Sequence, residues 1–211
     1  MDFLLKYKWL LPSLIFSITL TIVRILYTGH SLYFWMNWNL LLAIVPLYIS
    51  YKASTTQKRS HRWLLGFIWL LFFPNAIYMV TDLFHLSPTY TIPLWYDLLL
   101  LFSMALNGIV LGLLSLNNIE KTISSVFKKK VMHFTIFLLL FLCGYGIYLG
   151  RYERWNSWDI ITQPYLLFNS MAHHIIHPFR NLEVWAISFT FSIWMYLLYQ
   201  YINKFKQYIH G

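Results

Sequence analysis

Six long apolar runs leave this chain little choice of fold. A helix rises about 1.5 Å per residue, so roughly 20 apolar residues cross the ~30 Å of hydrocarbon in a bilayer. Runs of that order extend over about Trp9 to Tyr27, Phe34 to Tyr51, Trp63 to Thr81, Leu94 to Leu116, Val131 to Gly150 and Leu182 to Ile202. Within lipid each backbone N–H and C=O must find its partner in the protein, and a helix achieves this segment by segment. The expected fold is therefore all-α and polytopic, with about six transmembrane helices and residues 1–211 forming a single integral membrane domain. Only 11% of the residues are charged, well under the ~25% of soluble domains. The first run is longer than a signal-peptide core and has no small-x-small cleavage site, so it reads as a retained span.

Charge sets the orientation. Alternating the gaps between runs places Lys6, Lys8, Lys52, Lys58, Arg59, Arg62, Lys121, Lys128, Lys129, Lys130, Lys204 and Lys206 on one side. The positive-inside rule makes that side, and both termini, cytoplasmic. The net charge of +9 is thus spread over short membrane-flanking gaps, which points to anionic lipid headgroups at the cytoplasmic face as the partner and not to nucleic acid. Trp9, Trp35, Trp38, Trp63, Trp95, Trp155, Trp158 and Trp185 fall near the span ends and form an aromatic belt. Tryptophan by itself is therefore no sign of a ligand. The single cysteine, Cys143, has no partner for an intramolecular disulfide and reads as a small packing residue.

The opposite face is different in kind. Its basic residues are Arg24, Arg151, Arg154 and Arg180, with no lysine, and it carries Asp82, Asp97, Glu153, Asp159 and Glu183. Arginine's planar fork suits ion pairs and bidentate binding of carboxylate or phosphate, so the outer face reads as a structured polar site. Simpler roles are open for some of these groups. Asp97 and Glu183 sit where an acid complements a helix dipole, and Arg24, one turn from the end of its span, can snorkel to water.

The third run contains LFFPNAIYMVTDLFHLSP. Pro74 cannot donate a backbone hydrogen bond, so a kink is expected there, with Asn75 placed to satisfy freed backbone groups. Asn75, Tyr78, Asp82 and His85 follow at intervals of three, four and three, a single stripe at helical periodicity, and the helix is expected to stop before Pro88. A carboxylate and an imidazole three residues apart can touch. Asp82 and His85 are accordingly the candidate catalytic pair, with His85 a general base oriented by Asp82 or both of them metal ligands, or else part of a structural network at the helix end.

In the fourth run, Asp97 shares a face with Leu101, Met104 and Gly108, so it is expected to point into the bundle, and Asn107 calls for an interhelical hydrogen bond. Gly108 and Gly112, and Gly146 and Gly150, have the spacing of close helix approach. A faint repeat, Trp38-Asn39-Leu-Leu-Leu against Tyr96-Asp97-Leu-Leu-Leu, arises easily by chance in so leucine-rich a chain. About thirty residues separate the fifth run from the sixth, which is long for a connector. There Asn156 or Ser157 can cap a short helix to Gln163, and YLLFNSMAHHIIHP is too short to span and reads as interfacial or re-entrant. His173, His174 and His177 invite a metal reading, but the acid of H-E-x-x-H is missing, and neither a metal nor another cofactor is expected.

PNAIYMVTDLFHL and GRYERWNSWD together resemble the bacterial multi-pass membrane proteins grouped as domain of unknown function 1361, over most of the chain from about the second run to the sixth. The resemblance places the family's motif positions on Pro74, Asn75, Tyr78, Thr81, Asp82 and His85, and on Gly150, Arg151, Arg154, Asn156, Ser157, Trp158 and Asp159. It implies a bacterial cytoplasmic membrane and no particular activity. The leading expectation is a polar pocket at the outer leaflet that binds or processes an anionic or lipid-linked ligand. Its ligand-binding candidates are Asn75, Tyr78, Asp97, Arg151, Arg154, Asn156, Trp158 and Asp159. The alternative is a non-enzymatic small transporter or membrane assembly partner whose charges are structural.

Overall fold

A computed structural model of the protein describes residues 2–87, 92–124 and 128–210. Its regular elements are all helical: α1 (Phe3–Tyr7), α2 (Leu11–Thr28), α3 (Trp35–Thr55), α4 (Arg59–Tyr78), α5 (Leu94–Ile123), α6 (Lys129–Arg151), α7 (Asp159–Thr162), α8 (Pro164–Ile176) and α9 (Leu182–His210). Tighter three-residue-per-turn segments join α1 to α2 at Lys8–Leu10 and extend α4 over Met79–His85. Among the described residues five helical stretches, Phe3–Thr28, Arg59–His85, Leu94–Ile123, Val131–Arg151 and Leu182–Phe205, are long and apolar enough to cross a membrane. The second expected run forms α3, a helix of 21 residues that carries Asn37, Asn39 and Pro46. Its polar residues keep it out of that group of five.

The chain divides into two compact units, Met1–Thr122 and Ile123–Gly211. In unit 1, α5 is the most enclosed helix. Leu100, Leu101, Met104 and Leu111 of α5 join Met36, Leu40, Ala43 and Leu47 of α3 and Ala76 and Met79 of the α4 stretch in one core. Helices in lipid gain little from hydrophobic burial against one another, so close packing and interhelical hydrogen bonds must hold them. Both are visible here. A Cβ at Gly108 would collide with the Ala76 carbonyl, and one at Gly112 would come within 2.6 Å of Ile77 Cδ1, so this glycine pair is what lets α5 lie against α4. Asn107 donates to Ser17 Oγ at 2.8 Å and to the Ser13 carbonyl at 3.2 Å, and accepts from Ser13 Oγ at 2.8 Å, joining α5 to α2 as its position in the sequence suggested. Lower on α5, Ser115 accepts from the Trp69 indole and Asn118 binds both Tyr7 and Ser50.

Two local chain features depend on special residues. α2 ends at Gly29, whose φ of 68° is the left-handed conformation of a helix C-cap, with its N–H on the Ile25 carbonyl. α4 continues through Pro74 without interruption, and the change of winding comes at Met79. Asn75 does serve a nearby backbone group, donating to the Phe72 carbonyl at 3.1 Å. The helical winding is over by Leu86; Pro88 lies outside the described residues.

In unit 2, α6 and α9 pack along their length, burying Ile136, Leu140, Cys143 and Ile147 of α6 and Val184, Ser188, Ser192, Met195 and Tyr199 of α9. Their tight contact is at Gly144, where a Cβ would stand 2.6 Å from the Ser188 carbonyl oxygen. The close approach expected from the Gly146 and Gly150 spacing therefore falls two residues earlier.

Candidate functional site

Both units bury ionisable groups. In unit 1 Arg24 and Asp97 form one such group. Arg24 is not a snorkelling residue: it is 2% exposed, and Asp97 is 1% exposed. Nε of Arg24 donates to Oδ1 of Asp97 at 2.7 Å and Nη2 to Oδ2 at 3.0 Å, a two-pronged pair. The guanidinium also lies 4.8 Å from the centre of the Tyr33 ring. Position along α2 gives Arg24 a route to water, but the inward-facing acid in the first turn of α5 offers a charge partner, and two opposite charges with matched geometry offset much of each other's desolvation. Asp97 has both oxygens committed to this pair. Tyr96 pins the same helix end by donating to the Leu20 carbonyl at 2.9 Å.

Asp82 is fully buried and accepts from Asn39 Nδ2 at 3.1 Å. The expected stripe is divided by the change of winding. Asn75 and Tyr78 belong to the α-helical part and are half-buried, whereas Asp82 and His85 lie in the tighter segment, where residues three apart eclipse. His85 is exposed. Its Nδ1 meets the main-chain carbonyl of Asp82 at 3.3 Å, and since a carbonyl only accepts, this contact requires the proton on Nδ1. The imidazole stands edge-on to Trp35, with centroids 5.0 Å apart, and the His85 carbonyl accepts from the Tyr33 hydroxyl at 2.9 Å. Asn39, which the sequence offered only through a faint repeat, is thus the side-chain partner of Asp82.

In unit 2 the GRYERWNSWD segment leaves α6 at Arg151 and turns sharply. Arg154 is exposed and adopts φ 63°, a left-handed backbone uncommon outside glycine, asparagine and aspartate. The turn around it is fixed on both sides. Trp155 N–H bonds the Leu149 carbonyl at 3.0 Å. Asp159 Oδ2 accepts from the main-chain N–H of Asn156 at 2.7 Å and from its side-chain amide at 3.2 Å, while Oδ1 accepts from Thr162 Oγ1 at 2.8 Å. The expected cap is therefore reversed: Asp159 reaches back to Asn156, as the acid of a capping box does. These bonds hold the Asp159 carboxyl below the usual carboxylate range, the Asn156 main-chain N–H contributing most. Trp158 is exposed beside this turn.

A second arrangement in unit 2 was not foreseen. Glu153 Oε2 accepts from Trp155 Nε1 at 2.9 Å and from Ser170 Oγ, and Oε1 lies 2.8 Å from His174 Nε2. The other ring nitrogen of His174, Nδ1, is 3.0 Å from the Tyr145 hydroxyl. A carboxylate, an imidazole and a phenol are thus linked in series, with the imidazole only 3% exposed. The sequence did hold a signal: Ser170 and His174 are four apart in one helix and share a face. Nothing in it pointed to the loop carboxylate they would meet. His173 and His177 instead lie ring against ring, 4.9 Å apart. Among the described residues no three His, Cys, Asp or Glu side chains are grouped so as to hold a metal ion.

A family model described as protein of unknown function (DUF1361) matches residues 38–198, which include Asn39, Asp82 and the whole unit 2 cluster but not Arg24. No curated protein and no solved structure matches the chain.

Proposed function

The chain belongs to the DUF1361 family of proteins of unknown function, and from that premise we propose that it is a six-span protein of the bacterial cytoplasmic membrane whose outer polar segment binds an anionic or lipid-linked ligand. Both termini are cytoplasmic in this reading, with the lysine-rich gaps on anionic headgroups. α3 serves as the sixth span, since 21 residues rise about 31 Å. α8 lies in the outer interface. Tyr165, Leu166, Phe168, Ile175 and Ile176 are exposed and apolar, whereas its inward face carries Ser170 and His174, an arrangement that suits a helix bedded in acyl chains.

The observation that carries the ligand reading is Arg154. A non-glycine residue held in the left-handed region costs on the order of 1 kcal/mol or more and is characteristic of functional turns. Asparagine or glycine would fill this position at lower cost, so the value of arginine here is its charge, aimed outward by a turn that Asn156 and Asp159 lock. Arg151, Trp158 and the locked turn complete the anion grip. The test is native mass spectrometry of the detergent-solubilised protein with added phosphatidylglycerol or phosphatidylcholine. Preferential retention of phosphatidylglycerol, lost in Arg154→Gln and kept in Arg154→Lys, is the expected result. Equal retention by wild type and Arg154→Gln would refute the grip.

For unit 1 the sealed Arg24–Asp97 pair supports the second role, in which outer charges are internal staples of a membrane-embedded scaffold. Asp82, bound by Asn39, and His85, set against the backbone and Trp35, are read the same way, as residues that position the end of α4 and not as an acid–base pair.

A further inference from the structure

The Tyr145–His174–Glu153 series has a neighbour with an unmet need. Nε1 of Trp185 is buried and has no acceptor among the described residues, and the Trp185 ring lies nearly parallel to that of Tyr145, 6.2 Å away. Buried donors are rarely left unmet, and a bound acceptor is one arrangement that would satisfy this one. Glu153, receiving Trp155 and Ser170 as well as His174, is more firmly oriented than a simple tie between a loop and a helix requires.

We propose that α6, α8 and α9 form a proton-coupled oxyanion site, in which Trp185 N–H and Tyr145 O–H bind a phosphodiester anion while His174 takes up one proton. This rests on the anionic-ligand reading above and deepens it. In the resting state an ionised Glu153 accepts from Nε2–H of neutral His174, whose Nδ1 accepts the Tyr145 proton. Uptake of a proton at Nδ1 makes that nitrogen a donor to the Tyr145 oxygen. The phenolic hydrogen then turns away from the imidazole and toward the ligand. The proton on His174 balances the arriving negative charge, so no net charge enters a poorly solvated place, where an uncompensated one is costly. No covalent bond changes. The titratable groups about His174 are Tyr145 and Tyr148 of α6, Glu153 of the loop and His173 of its own helix, and from α9 Glu183 acts on Tyr148.

The experiment uses the full chain in maltoside micelles, isotope-labelled at indole and imidazole nitrogens, and follows the Trp185 indole signal, which is identified by its absence in Trp185→Phe. The probes are dimethyl phosphate and dioleoyl phosphatidylglycerol, phosphodiesters whose charge is constant across the pH range used. A saturable shift of the Trp185 signal is expected. On the alkaline side of its profile affinity should weaken about tenfold per unit rise in pH, as uptake of one proton requires. His174→Gln, which still offers Glu153 an amide donor, should give a flat pH profile; should that variant fail to fold, the wild-type profile alone decides. A shift with both probes supports a site for the free phosphodiester, and a shift with phosphatidylglycerol alone supports a lipid headgroup site. An unmoved Trp185 signal in protein that still shows Arg154-dependent binding overturns the relay site and leaves the anion grip standing. No binding of either probe overturns both. A pH-independent wild-type affinity overturns the proton coupling.

Discussion

The two units treat buried charge in opposite ways. Arg24 and Asp97 are both at most 2% exposed and are closed on each other through two hydrogen bonds. Glu153 and His174 also touch, but Glu153 is 23% exposed and accepts from Trp155 and Ser170 as well. The first pair can only be made or broken. The second is linked onward, through the other imidazole nitrogen, to the Tyr145 hydroxyl. A pair closed on itself suits a scaffold, whereas a pair linked onward to further polar groups suits a site.

The largest effect should come from breaking the fixed pair. Arg24→Ala leaves a buried carboxylate unpaired and is expected to cost about 3–5 kcal/mol, read as lost membrane abundance and lower resistance to denaturing detergent. Arg24→Met with Asp97→Leu removes both charges and should recover most of that loss; if the double variant is no better than the single one, the pair is more than a staple. Within unit 2, Glu153→Ala strands the donors of Trp155, Ser170 and His174 and should cost about 1–3 kcal/mol. A loss as large as that of Arg24→Ala would erase the contrast between the units. Gly108→Ala forces a Cβ against the Ala76 carbonyl and is expected to cost about 1–3 kcal/mol in the same assay.

The smallest effect concerns the Asp159 turn. Because its carboxyl titrates lower in the folded protein than in the unfolded chain, its stabilisation is present in full above the ordinary carboxylate range and is lost as pH falls through the folded value. The protection of the Asn156 amide hydrogen, its exchange taken relative to the intrinsic rate at each pH, should therefore fall in acid, and Asp159→Asn should show much of that loss already at neutral pH.

The parts of this molecule that lipid dictates could be read directly from the sequence. The apolar runs became helices, Asp97 faces inward as its alignment with Leu101, Met104 and Gly108 required, and Asn107 found interhelical partners. What could not be read was who meets whom across sequence distance. Arg24 was misjudged because depth along a helix says nothing about an acid 73 residues later. The Asp82 and His85 stripe assumed α-helical winding throughout, and the tighter turn from Met79 set His85 against a carbonyl. In unit 2 the motif residues Asn156 and Asp159 turned out to bind each other, and Glu153, between the two arginines, found its partner on another helix.

The contrast between the units is tested most directly by measuring dimethyl phosphate binding side by side in Arg24→Met/Asp97→Leu and in Arg154→Gln, each at normal membrane abundance. The expected result is wild-type affinity in the charge-free core variant and at least a tenfold loss, about 1.4 kcal/mol, in Arg154→Gln. Binding lost from the core variant and retained by Arg154→Gln would contradict the division of labour between the two units.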